Sequence, residues 1–254
     1  MQLGGFTRDF IKSAAPSGVF ILPVGAVEQH GPHMPVATDI ILSGELCQEA
    51  ADRAAGQAAV FVAPALPYGI SNHHKPHAGV FSLSAQVFSD VLFELLTSAF
   101  ESGFRRAAIV NGHNGNDEAI KIVARELNNR MPLTIAATSY WAAAWKELDE
   151  AGVIDNVPRI PGHAGAFETS LMLAMHPEFV QTELVPDTLP APKNARSVVA
   201  PAIFAARSNH GFGLGYSDAP KAATAEFGER ARQACVAGLS NFFIKLGRMP
   251  ANDK

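Results

Sequence analysis

The feature that most limits the folds open to this chain is an alternation of short apolar runs with helix-patterned segments. Gly18 to Val24 is apolar and ends at Gly25, the pattern of a strand buried on both faces. Ile40 to Ala55 follows, with Ile41, Leu42, Leu46 and Ala50 near helical spacing and Gly56 just past the end, which predicts a helix. Ala59 to Ala63 is a second short strand, closed by Pro64. Ser84 to Ser102 predicts a helix capped by Ser84, with Val87, Val91, Leu95 and Phe88, Leu92, Leu96 on one apolar face. Arg106 to Asn111 is a third strand, a helix runs from there to about Arg130, and Leu133 to Thr138 is a fourth strand. This alternation predicts an α/β fold with a largely parallel sheet covered on both faces. In such sheets, ligands bind beyond the carboxyl ends of the strands.

The remainder is less regular. Tyr140 to Gly152 reads as a short helix or lid carrying Trp141 and Trp145, and residues 160–165 as a turn. Ala166 to Met175 reads as a helix stopped before Pro177. Gln181 to Pro220 is rich in Pro, Asn and Gly and is expected to be mostly irregular, with Lys221 to Leu246 as a closing helix. The 254 residues fit one domain, 1–254, and a content of 48% hydrophobic and 17% charged residues supplies a sizeable core. The formal charge is −4 and no basic run occurs, which argues against nucleic acid or an anionic membrane surface as partner. The apolar runs fall short of the roughly 20 residues a membrane helix needs, and no signal-peptide pattern is present. Cys47 and Cys235 lie far apart in helix-like segments and are expected to be free thiols in a reducing cytoplasm.

Metal-capable side chains collect where the strands end. The first strand leads into Pro23-Val-Gly-Ala-Val-Glu28-Gln-His30-Gly-Pro-His33-Met-Pro-Val-Ala-Thr-Asp39. Glu28 and His30 are two apart and so share one side of an extended segment. Two carboxylates and an imidazole suit zinc, manganese or iron. Asn111-Gly-His113-Asn-Gly-Asn116 and His163-Ala-Gly-Ala-Phe-Glu168-Thr-Ser form two further clusters. Each sits beside glycine, which allows close backbone approach, at a junction with a helix whose first turn offers donors. Singly, each has a structural reading. His113 suits a hydrogen-bonded core histidine, His163 a turn histidine, and Glu168 a carboxylate stabilising its own helix. The stretch 67–81 holds His73, His74 and His77 and is long for a loop in a compact domain, which points weakly to function.

In this order and spacing the three clusters closely resemble the motifs of the creatininase family (creatinine amidohydrolases), over almost the whole chain. The resemblance implies a three-layer α/β/α sandwich with a mostly parallel central sheet, a homo-oligomer, often a hexamer, and two divalent metal ions per subunit. By motif match Glu28, Asp39 and His113 bind one ion, and His30 and Asp39 the other, with Asp39 bridging. In creatininase itself the residue two after the motif histidine is a glutamate ligand, whereas here it is Gly115. Many relatives carry the glycine form, in which the third motif's glutamate supplies the carboxylate. That residue is Glu168 here. His163 matches the proton-transfer histidine, Ser71 and His74 match a stretch lining the substrate site, and Trp141 and Trp145 are expected to form a lid. Where the family often has an aromatic-Pro-Gly-Thr stretch, this chain reads His77-Ala-Gly-Val-Phe.

The activity implied is hydrolysis of a C–N bond of an amide, lactam or formamide in a small polar substrate. Two ions activate one water and stabilise charge on the carbonyl oxygen, while His163 transfers the proton. The family also allows formamide removal from a pyrimidine intermediate, hydrolysis of a keto-inositol and trimming of a ribosomally made redox-cofactor peptide. Gly115 shifts weight away from creatinine. A metal-binding relative without turnover is the competing reading from another class. Nucleotide binding lacks support, since no Gly-x-Gly-x-x-Gly follows the first strand and no Walker-type lysine loop occurs.

Overall fold

Four parallel strands form the middle layer in a computed structural model that describes residues 1–75, 77–187 and 214–251. They are β1 (Val19–Val24), β2 (Val60–Val62), β3 (Arg106–Asn111) and β4 (Thr134–Ser139), in the spatial order β2-β1-β3-β4. Val19 pairs with Val60 on one side and Arg106 on the other, and Arg106 pairs with Thr134. Pro23 lies in a central strand, yet β2 has already ended beside it and the Pro23 carbonyl accepts from Leu66 N at 2.9 Å. Its missing N–H therefore removes no ladder bond. The chain steps from β1 to β2 on one side and then to β3 on the other. The connections part beyond the carboxyl ends of β1 and β3, and that divergence opens a crevice.

The helices are α1 (Arg8–Ala14), α2 (Thr38–Arg53), α3 (Ala85–Glu101), α4 (Asp117–Arg130), α5 (Tyr140–Ala143), α6 (Trp145–Glu150), α7 (Ala166–Met175) and α8 (Ala225–Gly247). Side chains alternate across the sheet, as period two requires. Val19, Ile21, Val60, Val62, Ala108 and Val110 face a core shared with α2 and α5–α8. Phe20, Leu22, Phe61, Ala107 and Ile109 face a second core shared with α3 and α4. The result is the three-layer α/β/α arrangement expected. Phe88, Leu92 and Leu96 are fully buried, each contributing about 1.5–3 kcal/mol.

The structure corrects several details. On α3, Val87 and Leu95 are exposed while Phe88, Leu92 and Leu96 are buried. The two rows stand about 100° apart around the helix, and one row suffices to cover the sheet. Helix α1 was not anticipated; Thr7 caps it, accepting from Phe10 N at 3.4 Å. The expected helix 140–152 breaks at Ala144 (φ −101°, ψ 11°) into α5 and α6. The closing helix starts at Ala225, after a short 3-10 turn at Pro220–Ala222, because Thr224 accepts from Phe227 N at 3.1 Å and caps it there. Residues 188–213 of the stretch expected to be irregular lie outside the described residues. Cys47 and Cys235 are buried free thiols. No helix among the described residues is long and apolar enough to cross a membrane.

Candidate metal centre

Buried polar side chains gather in the crevice beyond β1 and β3. Glu28 and His30 lie in the segment after β1, which is held by a bond from Glu28 N to Val36 O (3.0 Å) and turns at Gly31 (φ 65°). Asp39 sits in the first turn of α2, where the helix N-terminus favours a carboxylate. His113 follows β3 on a turn braced by two asparagines. Asn111 accepts from His113 N (3.0 Å) and donates to His113 O (2.6 Å), while Asn116 donates to Gly25 O (3.0 Å) and accepts from Ile70 N (2.8 Å). Glu168 is in the first turn of α7. All five side chains are buried.

Their polar atoms converge. His113 Nδ1 lies 3.2 Å from both Glu28 Oε1 and Asp39 Oδ2. The other Asp39 oxygen is 3.1 Å from His30 Nε2, which is 3.9 Å from Glu168 Oε2. Asp39 thus gives one oxygen to each half of the cluster. The far nitrogens of both imidazoles face backbone carbonyls, His113 Nε2 that of Ile70 at 3.0 Å and His30 Nδ1 that of Glu28 at 3.1 Å. Those carbonyls can accept the ring N–H, so that in the neutral rings His113 Nδ1 and His30 Nε2 would turn lone pairs inward, the second-layer support metal-bound histidines receive. Gly115 makes room for this. A Cβ there would lie 2.5 Å from both His113 Nε2 and Ile70 O.

A divalent ion fits this donor set. Glu28 Oε1 and Asp39 Oδ2 are buried and receive no hydrogen bond, although such oxygens normally have partners. Ligand atoms about 2.0–2.2 Å from a tetrahedral ion stand about 3.3–3.6 Å apart, close to the spacings seen. Three overlapping groups among the described residues, His30 with Asp39 and Glu168, Glu28 with His30 and His163, and Glu28 with His113 and the exposed His73, each keep their ligand atoms within 4.8 Å. Protonation follows the same crowding of charge. Burial alone would raise the Glu28 carboxyl, but His113 beside it holds it well below the usual range. Burial opposes a charge on His30, yet Asp39 carries it up to about 10. His113 is likewise raised against burial by Glu28. Burial pushes Glu168 up to about 8 despite the pull of His30. Protons on two imidazoles therefore balance the carboxylates, and a divalent cation would displace them.

His163 and His74 complete the cluster, with His163 Nδ1 at 3.4 Å and His74 Nε2 at 3.5 Å from Glu28 Oε1. Burial, and for His163 the neighbouring His30 charge, hold both in the neutral form, His74 at about 4. Ser71 is fully buried and donates a short hydrogen bond to Glu28 Oε2, so it orients that carboxylate. Trp141 is only 6% exposed and packs edge-on against Tyr140 at 4.9 Å, and Trp145 is half-buried against the same core. His33 is tied to Thr169 Oγ1 at 3.0 Å, and the exposed His73 stacks on His113 at 5.6 Å.

Three residues that hold the site were not recognised in the sequence. Asp218 is buried and accepts from Ala166 N (2.9 Å) and Ala219 N (2.6 Å). It caps α7 from outside, where Gly165 has no side chain to do so. Ala164, in the left-handed region at φ 48°, aims its N–H at Glu168 Oε2 (2.7 Å) within the same turn. Gln29 touches both His74 and His163 at 2.9 Å. Alternation along an extended segment places Gln29 opposite Glu28 and His30, and only the tertiary fold brings the two histidines round to it.

The family model described as creatinine amidohydrolase matches residues 7–243. The chain is 31% identical over 246 residues to creatinine amidohydrolase of Pseudomonas putida, covering 90% of this chain and 89% of that protein. It is 33% identical over 187 residues to the mycofactocin precursor peptide peptidase of Mycobacterium ulcerans (strain Agy99), covering 72% of this chain and 67% of that one. A solved structure of manganese creatininase superposes with a TM-score of 0.77 at 27% identity, over 98% of this chain and 99% of that one.

Proposed function

The chain belongs to the creatininase family, and on that premise we propose that it is a divalent-metal-dependent amidohydrolase cleaving a C–N bond in a small polar substrate. The observation that carries this reading is the convergence of buried ligand-type atoms, Glu28 Oε1 and Asp39 Oδ2 each 3.2 Å from His113 Nδ1 and Asp39 Oδ1 3.1 Å from His30 Nε2. Glu28, Asp39 and His113 would hold one ion, and His30, Asp39 and Glu168 a second, zinc, manganese or iron by donor type. Bound there, divalent ions acidify a water toward neutral pH and polarise a carbonyl oxygen.

The rest falls to this chain's side chains. Ser71, Asn111, Asn116 and the Ile70 carbonyl keep Glu28 and His113 in place. In the hydrolysis the water oxygen joins the carbonyl carbon, the C–N bond breaks and the leaving nitrogen takes up one proton. That proton comes from the attacking water, and His163 Nδ1, on the side facing Glu28, guides its transfer to the leaving nitrogen. His74 presents Nε2 to the same place and orients the substrate carbonyl. Creatinine is disfavoured as the substrate, because the position of creatininase's additional glutamate ligand is Gly115 here. A lactam, a formamide or the terminal amide of a short peptide are the bonds to test.

The test is metal analysis of the purified protein, then turnover of creatinine, lactams, formamides and short peptides before and after chelation and reloading. Activity that requires zinc, manganese or iron supports the reading. Turnover surviving complete metal removal, or metal binding with no turnover on any of these bonds, overturns it.

A further inference from the structure

The two histidines facing the reacting centre are joined behind by one carboxamide. Gln29 Nε2 lies 2.9 Å from His74 Nδ1 and 2.9 Å from His163 Nε2. Its Oε1 accepts from Gly31 N at 2.9 Å. That backbone N–H settles which end of the amide is which, since reversing it would set N–H against N–H. The amide is enclosed as well: Gln29 is buried, and a Cβ on Gly215 (φ 80°) would collide with its oxygen. An amide nitrogen has two hydrogens, and here one serves each imidazole.

We infer that Gln29 is a positioning residue that sets the tautomers of His163 and His74. A nitrogen that accepts from an amide N–H carries no proton of its own. The ring hydrogens must then sit on His163 Nδ1 and His74 Nε2, which lie 3.4 and 3.5 Å from Glu28 Oε1. Both rings enter the reaction as donors. His163 Nδ1 gives a hydrogen bond to the leaving nitrogen and His74 Nε2 one to the carbonyl oxygen, whereas His163 cannot act as a base at Nδ1 while Gln29 holds it, and the leaving nitrogen's proton comes from the attacking water. The roles assigned to the two donors rest on the amidohydrolase reading; the tautomers do not.

The test uses ¹⁵N-histidine NMR of the zinc-loaded protein, which distinguishes a protonated from an unprotonated ring nitrogen at each site, with His163→Ala and His74→Ala spectra for assignment. Wild type is expected to show hydrogen on His163 Nδ1 and His74 Nε2. Gln29→Glu replaces the donor by an acceptor and should move hydrogen to His163 Nε2 and His74 Nδ1. Zinc content should be retained and kcat should fall about 10²-fold or more, with KM changed far less. Gln29→Met removes the donor at similar volume and should leave mixed tautomers with an intermediate kcat. Hydrogen on His163 Nε2 in wild type, or unchanged tautomers in Gln29→Glu, overturns the inference. If the tautomers are as stated but no C–N bond is cleaved, the amidohydrolase reading fails and the assignment to Gln29 stands.

Discussion

Replacing Gly115 by alanine sets two effects of opposite sign against each other. Gly115 lies in a 3-10 turn, Asn114–Asn116, and its backbone is not in the left-handed region, so alanine can adopt the conformation. Lower entropy in the unfolded chain would favour alanine by about 0.4–1 kcal/mol. Against this, the new Cβ would stand 2.5 Å from His113 Nε2 and from Ile70 O. A carbon normally approaches a carbonyl oxygen to about 3.3 Å, so the His113 ring and the Ile70 carbonyl must each move by about 0.8 Å. That move disrupts the 3.0 Å bond between them, worth about 1 kcal/mol net, and overpacking of this kind typically costs about 1–3 kcal/mol. The steric effect wins. Because His113 Nδ1 faces Glu28 and Asp39, the damage falls mainly on the metal: losing a partner that orients a ligating histidine typically lowers affinity about 10–100-fold, or about 1.4–2.7 kcal/mol. Zinc titration of metal-free wild type and Gly115→Ala in a chelator buffer at pH 7.5 measures it directly. Wild-type affinity in the variant, with equal or higher thermal stability, would refute the claim that this close approach is tight.

Other outcomes follow from the same cluster. Glu168→Gln should leave the metal-free protein's thermal stability near pH 7 almost unchanged, since burial already favours a neutral group there, while elemental analysis should show the bound metal falling from two ions to one. Saturating the wild type with zinc at about 100 times its dissociation constant adds about 2.7 kcal/mol, which calorimetry should record as a rise in Tm of about 5–11 °C, reversed by chelator. His176 bridges Glu45 on α2 and Glu178; although burial works against its charge, the hydrogen bonds it donates to Glu45 and then Glu178 raise its pKa. A raised folded pKa gives stability that is fully present below about pH 6.5 and lost as pH climbs through the folded value. His176→Gln should therefore lower Tm near pH 6 and match the wild type at alkaline pH, and a deficit that grows with pH would contradict the pairing.

The strands and most helices were legible because local pattern and packing agree. The apolar run 18–24 is buried on both faces, and Ser84 does cap α3, accepting from Val87 N. What could not be read were choices made by distant residues. Gln29 meets a histidine 134 positions away, His33 meets Thr169 across 136, and Asp218 caps a helix 52 positions earlier. None of these leaves a local periodicity. Ser71 could be placed beside the cluster by its stretch, but its direction, toward the back of Glu28, depends on how the loop closes. Trp141 was expected at a lid from the family resemblance, whereas its ring lies in the core, edge-on to Tyr140. The metal-capable residues are the opposite case. Their chemistry is in the side chain, and the strand order β2-β1-β3-β4 needs only to bring the ends of β1 and β3 together.

One carboxylate lies between the halves of that cluster. Asp39 turns Oδ2 to His113 and Oδ1 to His30, and a single planar group cannot rotate for one without turning from the other. Whatever occupies one half changes both the charge and the tilt that the other half meets. If each half takes an ion, as proposed, occupancy would be a linked equilibrium and not two independent ones. By thermodynamic necessity the linkage is reciprocal: the factor by which an ion beside Glu28 alters the affinity beside Glu168 is the factor by which the second alters the first. Depending on whether charge repulsion or the tilt of Asp39 dominates, such a centre loads in an all-or-none fashion or holds one ion far more tightly than its twin.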